Sequence, residues 1–236
     1  MSKIVKITEM NPAEDLSVKL SGNFSTILAD PPWQFQNRTG KVAPEHRRLL
    51  RYPTMELKEI MELPVARFAA AKSHLYLWVP NALLLEGLKV MEAWGFTYKT
   101  NLVWYKVRKD GGPDGRGVGF YFRNVTELVL FGVRGSMRTE QPGRRQVNLL
   151  ATRKREHSRK PDEIYDIIES CSPGPYLELF ARFPRSGWQQ WGNEDVEENS
   201  FHGVAKRKGH TDPQLRLFTN PKGYGGASIA RVGGTR

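Results

Sequence analysis

Apolar positions in this chain fall in short dense blocks rather than in one long periodic stripe. Residues 25–29, 74–79 and 177–180 are apolar runs of the length of buried strands, and 97–105 and 126–133 read as two more. Between these blocks the spacing changes. Leu84, Leu85, Leu88, Val90 and Met91 recur at helical intervals within 81–94, and Gly95 supplies the end. Residues 56–71 read as a helix interrupted near Pro64. Residues 161–170 read as another, with Pro161 in its first turn and Ser158 placed to cap it. Strands that alternate with helices predict a doubly wound α/β sheet.

The first of these strands ends abruptly. Ile27-Leu28-Ala29-Asp30-Pro31-Pro32-Trp33 runs from apolar residues into an acid, two prolines and an aromatic. The prolines forbid continuation of the ladder, because each lacks a donor. The expected product is a stiff corner at a strand's carboxyl end, where open parallel sheets bind ligands. It fixes the Asp30 carboxylate, the Pro31 carbonyl and the Trp33 ring in space. Two acceptors and a stacking face suit an exocyclic amine on a nucleobase. Such an amine is a poor nucleophile, because its lone pair is delocalised into the ring. Holding both N–H groups on acceptors favours a pyramidal nitrogen able to attack an electrophilic methyl, a stabilisation that grows in the transition state.

Charge adds a partner to this picture. The formal net charge of +11 favours a polyanion. The cations are clustered: Arg38, Lys41, Arg47, Arg48 and Arg51 follow the corner, Lys106, Arg108, Lys109, Arg116 and Arg123 flank a glycine-rich stretch, and Arg153, Lys154, Arg155, Arg159 and Lys160 form a third group. Nucleic acid is the expected partner. The glycine-rich stretch 111–119 is not a phosphate loop, since no Gly-Lys-Ser/Thr follows it. It reads instead as a loop that closes on the substrate or grips its backbone.

Composition excludes other classes. Cys171 is the only cysteine, which leaves no disulfide framework and no thiolate zinc cluster. No run has the roughly 20 apolar residues of a membrane helix, and the start lacks the apolar stretch of a secretory signal, so a cytoplasmic setting is expected. From about residue 198 the chain turns basic and glycine-rich. The expected organisation is one domain over 1–197 and a flexible tail over 198–236.

A second set of groups lies downstream. Lys160 stands at an expected helix entrance, where an anion would meet its charge and the free N–H groups. Glu178 and Arg182 close the last apolar strand. Gln189, Gln190, Asn193 and Glu194 offer amides and carboxylates suited to ribose hydroxyls or an adenine edge. Together they outline a nucleoside amino-acid ligand, which S-adenosyl-L-methionine is.

Asp30-Pro31-Pro32-Trp33, Tyr52-Pro53-Thr54-Met55, Leu77-Trp78-Val79, Lys99-Thr100-Asn101, His157 to Glu163, and Glu178 to Arg182 with Gly187-Trp188 and Gly192-Asn193-Glu194 occur in this order. With this motif set, spanning residues 24–194, the chain resembles the MT-A70-like family of adenine N6-methyltransferases, most closely its compact bacterial and phage branch. The resemblance implies a Rossmann-like doubly wound methyltransferase sheet in a single domain. The motif order is permuted, as in β-class amino-methyltransferases. It implies catalysis by Asp30, Pro31, Pro32 and Trp33. Tyr52 and Trp33 would frame the adenine, with Arg38, Lys41, Arg48, Lys106, Arg108 and Arg116 as substrate contacts. Ala29, Asp30, Lys160, Glu178, Arg182, Asn193 and Glu194 would hold S-adenosyl-L-methionine; no metal is needed. Glu14 or Asp15 is a further candidate for the cofactor. Phe183-Pro184-Arg185 replaces a His-Asn pair of eukaryotic members. DNA is favoured over RNA as substrate, with a homodimer or a partner subunit as further options. The rival readings are a silent nucleic-acid-binding subunit, an RNA adenine methyltransferase, and methylation of N4 of cytosine.

Overall fold

The computed structural model describes residues 5–6, 11–35, 54–115, 121–153 and 159–192. The chain divides into a unit Met1–Val196 and a unit Glu197–Arg236, and every described residue lies in the first. The basic tail expected from residue 198 onward lies outside the described residues.

Eight strands form one sheet: β1 (Val5–Lys6), β2 (Phe24–Ala29), β3 (Ala69–Val79), β4 (Thr97–Val107), β5 (Thr126–Arg134), β6 (Leu149–Arg153), β7 (Tyr176–Leu179) and β8 (Trp188–Gly192), in the order β1-β8-β7-β2-β3-β5-β4-β6. All neighbours are parallel except β5, which runs antiparallel to both β3 and β4. Four α-helices cover the sheet among the described residues: α1 (Pro12–Lys19), α2 (Leu57–Glu62), α3 (Leu84–Ala93) and α4 (Glu163–Cys171). The architecture is the expected Rossmann-like α/β sheet.

The central strands read as unbroken apolar runs because both of their faces are covered. Ile27, Ala29, Leu75, Leu77, Val79 and Leu130 pack with Leu16 of α1, Ile60 of α2 and Val90 and Met91 of α3. The alternate positions Leu28, Tyr76, Trp78, Val129 and Phe131 pack with Ile164 and Ile168 of α4 on the opposite face. Gly87 lets α3 lie close on β3, since a Cβ there would come within 2.6 Å of Val79 Cγ2.

The structure moves several expected boundaries. The helix expected over 56–71 ends at Glu62, and Ala69 to Ala71 open β3. Pro64 breaks the helix and pairing of Ala69 with Phe24 draws the chain into β3, so tertiary contacts override helical propensity. The helix expected from 161 begins at Glu163, with Asp162 rather than Ser158 at its N-cap. The strand expected to include Phe180 stops at Leu179, because Phe180 takes φ +64°. The end at Gly95 stands as expected. Phe96 N–H donates to Met91 O and Gly95 N–H to Glu92 O, the paired bonds of a glycine-terminated helix, with Gly95 at φ +81°. Four elements have no counterpart in the sequence reading: α1, β1, β6 and β8.

This topology places the site. The connection leaving β2 leads to β3 on one side, and the one leaving β7 leads to β8 on the other. The carboxyl ends of β2 and β7 therefore flank a topological switch point, the place where such sheets bind ligands.

Candidate active site

At that switch point Ala29 is fully buried between Leu77 and Leu179, and the chain turns at Asp30, whose N–H donates to Leu179 O at 3.4 Å. The corner is held by its own hydrogen bonds. Trp33 N–H donates to Pro31 O at 2.8 Å, Met55 N–H to Pro32 O at 3.0 Å, and the Trp33 indole N–H to Trp78 O at 2.9 Å. The Pro31 carbonyl retains a second lone pair. Trp33 corrects one expectation. Its ring is only 7% exposed and belongs to the core under α1 to α3, so it acts as a strut and offers little stacking face.

A chain of charges extends from Asp30. Lys160 Nζ lies 3.0 Å from Asp30 Oδ1 and 3.2 Å from Glu127 Oε2, and Lys106 Nζ pairs with Glu127 Oε1. Both ammonium groups also sit over indoles, Lys160 at 5.0 Å from the Trp78 ring centre and Lys106 at 4.8 Å from that of Trp104. Burial opposes the ionised form of Glu127, but Lys160 and Lys106 outweigh it and hold its carboxyl down at about 2. Burial likewise opposes the Lys160 charge, yet Asp30 and Glu127 leave its pKa raised. Three strand ends and a helix entrance supply this cluster: the end of β2, the last residues of β4, the first of antiparallel β5, and the segment entering α4.

Glu127 escaped the sequence reading. An acid at position two of an apolar strand carries no visible partner, because both lysines arrive from elsewhere in the chain. Lys106 changes role in consequence. At 14% exposure and paired to Glu127, it is a support inside the site rather than a surface contact. Arg108 is exposed, but Asp110 engages its guanidinium through two bonds, at 3.1 and 2.8 Å.

On the β7 side, Glu178 is held by the Tyr165 hydroxyl at 2.8 Å and the Gln190 amide at 2.6 Å. Gln190 is itself fully buried and donates to Phe183 O, while its oxygen accepts from Arg185 N–H. Arg185 lies 3.7 Å over the Tyr165 ring. Burial pushes the Glu178 carboxyl up; the two hydrogen bonds oppose this, Asp30 adds to it, and the result is about 7. Arg182 follows Phe180 by two residues, on the loop that leaves the same strand end. Asp15 is corrected as a cofactor candidate. It is fully buried in α1, accepting from the Trp191 indole N–H at 2.9 Å and pairing with Lys19 at 2.7 Å, so its carboxylate is committed to the fold. Glu14, on the same helix, is exposed. Tyr52, Arg38, Lys41, Arg48, Arg116, Asn193 and Glu194 lie outside the described residues.

The donor set at the switch point fits S-adenosyl-L-methionine. A cation for a carboxylate (Lys160), carboxylates for an ammonium or ribose hydroxyls (Asp30 and Glu178), and the apolar Ala29 and Phe180 converge on adjacent strand ends.

Residues 24–194 match the MT-A70 family profile. The type II methyltransferase M.MunI of Mycoplasma sp is 31% identical over 209 residues, which are 81% of this chain and 87% of that protein. The human N(6)-adenosine-methyltransferase catalytic subunit METTL3 is 27% identical over 180 residues, 75% of this chain and 28% of that protein. A putative N(6)-adenosine-methyltransferase MT-A70-like protein of Medicago truncatula is 29% identical over 179 residues, 73% of this chain and 26% of that protein. The chain thus spans most of the Mycoplasma relative and about a quarter of each of the other two.

Proposed function

Because the chain belongs to the MT-A70 family of methyltransferases, we propose that it transfers a methyl group from S-adenosyl-L-methionine to N6 of adenine in DNA. The observation that carries this reading is the Asp30 corner at the switch point, its carboxylate 3.0 Å from the Lys160 ammonium. A carboxylate and the free lone pair of the Pro31 carbonyl make two adjacent acceptors for the two N–H groups of one amine. A hydroxyl or thiol nucleophile has a single proton to donate and would leave one of the two acceptors unused.

When bound, S-adenosyl-L-methionine supplies an electrophilic methyl group on sulfur. Lys160 would meet its carboxylate, Arg182, Glu178, Asn193 and Glu194 its ribose and adenine, and Ala29 would pack against it. Asp30 and Pro31 hold the target amine so that its lone pair points across the crevice rather than into the adenine ring. As the new N–C bond forms, positive charge grows on nitrogen beside the Asp30 carboxylate, an interaction strongest in the transition state. The surplus proton then leaves the nitrogen toward that carboxylate or water. Alignment of the two reactants contributes ~7–11 kcal/mol to lowering the barrier. Glu127 holds Lys160 at 3.2 Å beside its 3.0 Å contact with Asp30, so the ammonium is shared between two carboxylates and anchored in place.

Support for DNA comes from coverage: a type II methyltransferase is matched along 87% of its length, and METTL3, an N(6)-adenosine-methyltransferase subunit, along 28%. The basic clusters supply the attraction to phosphate, with Tyr52 and the exposed edge of Trp33 beside the base and Arg38, Lys41, Arg48 and Arg116 along the backbone. We assign the catalytic domain to 1–197 and an accessory electrostatic role to 198–236, in a cytoplasmic protein that works alone, as a homodimer or with a partner subunit. Methyl transfer from labelled S-adenosyl-L-methionine to matched single- and double-stranded DNA and RNA pools, followed by nucleoside analysis, tests the proposal. N6-methyldeoxyadenosine is the expected product; label in RNA alone reassigns the substrate, and N4-methylcytosine reassigns the atom.

A further inference from the structure

Two aromatic side chains stand almost wholly in solvent. Tyr121 is 95% exposed and Phe122 is 85% exposed, the most exposed of the large apolar residues among those described. Leaving a phenyl ring in water forgoes about 1.5–3 kcal/mol of burial, and the mechanism above gives neither ring a role. Their place is specific. They precede Arg123 and then β5, whose second residue is Glu127. Val125 O accepts from Lys106 N–H at 2.8 Å, which ties this segment to the edge of the sheet that carries the site. Four residues lie between Phe122 and Glu127, so their backbones are at most ~18 Å apart. Arg108 and Lys109, also exposed, leave the same edge on the neighbouring strand's continuation.

We propose that Tyr121 and Phe122 are a stacking platform for unpaired bases that flank the target adenine, and hence that the substrate is gripped as a single-stranded DNA segment. Exposed π-faces interleaved with cations are what a single-strand path requires, because every base has a face to stack and every nucleotide a phosphate to neutralise. The distance along the chain matches a few nucleotides between the pocket and the platform. The inference rests on the adenine-methylation reading and adds contacts to the nucleotides that flank the target base.

The test compares the wild-type protein with Tyr121→Leu/Phe122→Leu and Tyr121→Trp/Phe122→Trp. Leucine keeps the apolar surface and removes the π-face; tryptophan keeps both. The probes are a 12-nucleotide single-stranded DNA with one central adenine and deoxyadenosine monophosphate, with Kd from fluorescence anisotropy of the labelled 12-mer and KM from methyl transfer to each. The leucine pair is expected to raise Kd and KM for the 12-mer on the order of 10- to 100-fold. It should leave KM for the mononucleotide as in the wild type, and the tryptophan pair should bind as the wild type does. Equal 12-mer binding by the leucine pair and the wild type overturns the platform. So does a leucine pair that binds normally while its mass in light scattering drops to half, which assigns the rings to a protein interface. Failure of the adenine reading looks different: the wild type itself then forms no N6-methyladenine on either probe.

Discussion

Asp30, Lys160 and Glu127 act as one unit at the residue scale, and Glu127 sets its geometry. Glu127→Gln leaves Lys160 with Asp30 as its single counter-charge in this pair of bridges, so the ammonium loses one of the two anchors that fix its position. A displacement of about 1 Å is enough for a roughly 100-fold loss of methyl transfer; kcat of the variant checks this. The sign of its pH effect follows from its lowered pKa of about 2. Glu127 contributes stability above the ordinary glutamate range, and that contribution is lost as pH falls from about 4.5 toward 2. Glu178 runs the other way. Its carboxyl titrates at about 7 in the fold and near 4.5 when exposed. Across that window the unfolded chain has lost a proton that the fold keeps, so stability falls as pH rises from about 5 to 7. Unfolding free energies from urea titrations at pH 5 and pH 8 should differ by on the order of 2 kcal/mol in the wild type, and the part due to this group should vanish in Glu178→Gln. An unchanged difference in that variant would place the titration elsewhere.

Helix α1 and strand β8 depend on one another through Asp15 and Trp191. Asp15→Ala leaves the buried Trp191 indole N–H without its acceptor and Lys19 without its counter-charge, at a cost of about 2–3 kcal/mol in denaturant unfolding. The same pair shows what a sequence reveals at the element scale. Strands β2, β3 and β5 were legible because both faces are buried and the runs are unbroken. Strand β8 was not, since Gln189 and Gln190 read as ligand-facing amides, whereas Gln190 is buried and donates to Glu178. Helix α1 buries only Asp15 and Leu16, too little for a periodic signal. Within the site, Asp30 and Lys160 were legible from the proline corner and from the basic segment. Glu127 was hidden, because its partners come from elsewhere in the chain, Lys106 from the end of β4 and Lys160 from the segment entering α4. Trp33 was misjudged because burial is a property of the packed core and not of the motif.

On the scale of the whole molecule, the antiparallel β5 is what completes the charge cluster, because only its reversed direction brings the start of a strand to the edge where the others end. The net charge of +11 acts over a longer range. Affinity for DNA should fall linearly on a logarithmic scale with salt, and a protein using six or more phosphate contacts should lose about 10³-fold between 50 and 200 mM. A flat response would remove the basic clusters as a binding surface. The activity proposed for the Asp30 corner is methyl transfer to adenine N6. The most direct measurement is nucleoside analysis of DNA incubated with S-adenosyl-L-methionine and either the wild type or Asp30→Ala, with cofactor Kd taken by calorimetry on both. N6-methyldeoxyadenosine is expected from the wild type, with a loss of at least ~100-fold in the variant and cofactor binding retained in part; that activity is the proposal under test. Wild-type rates from Asp30→Ala would contradict it.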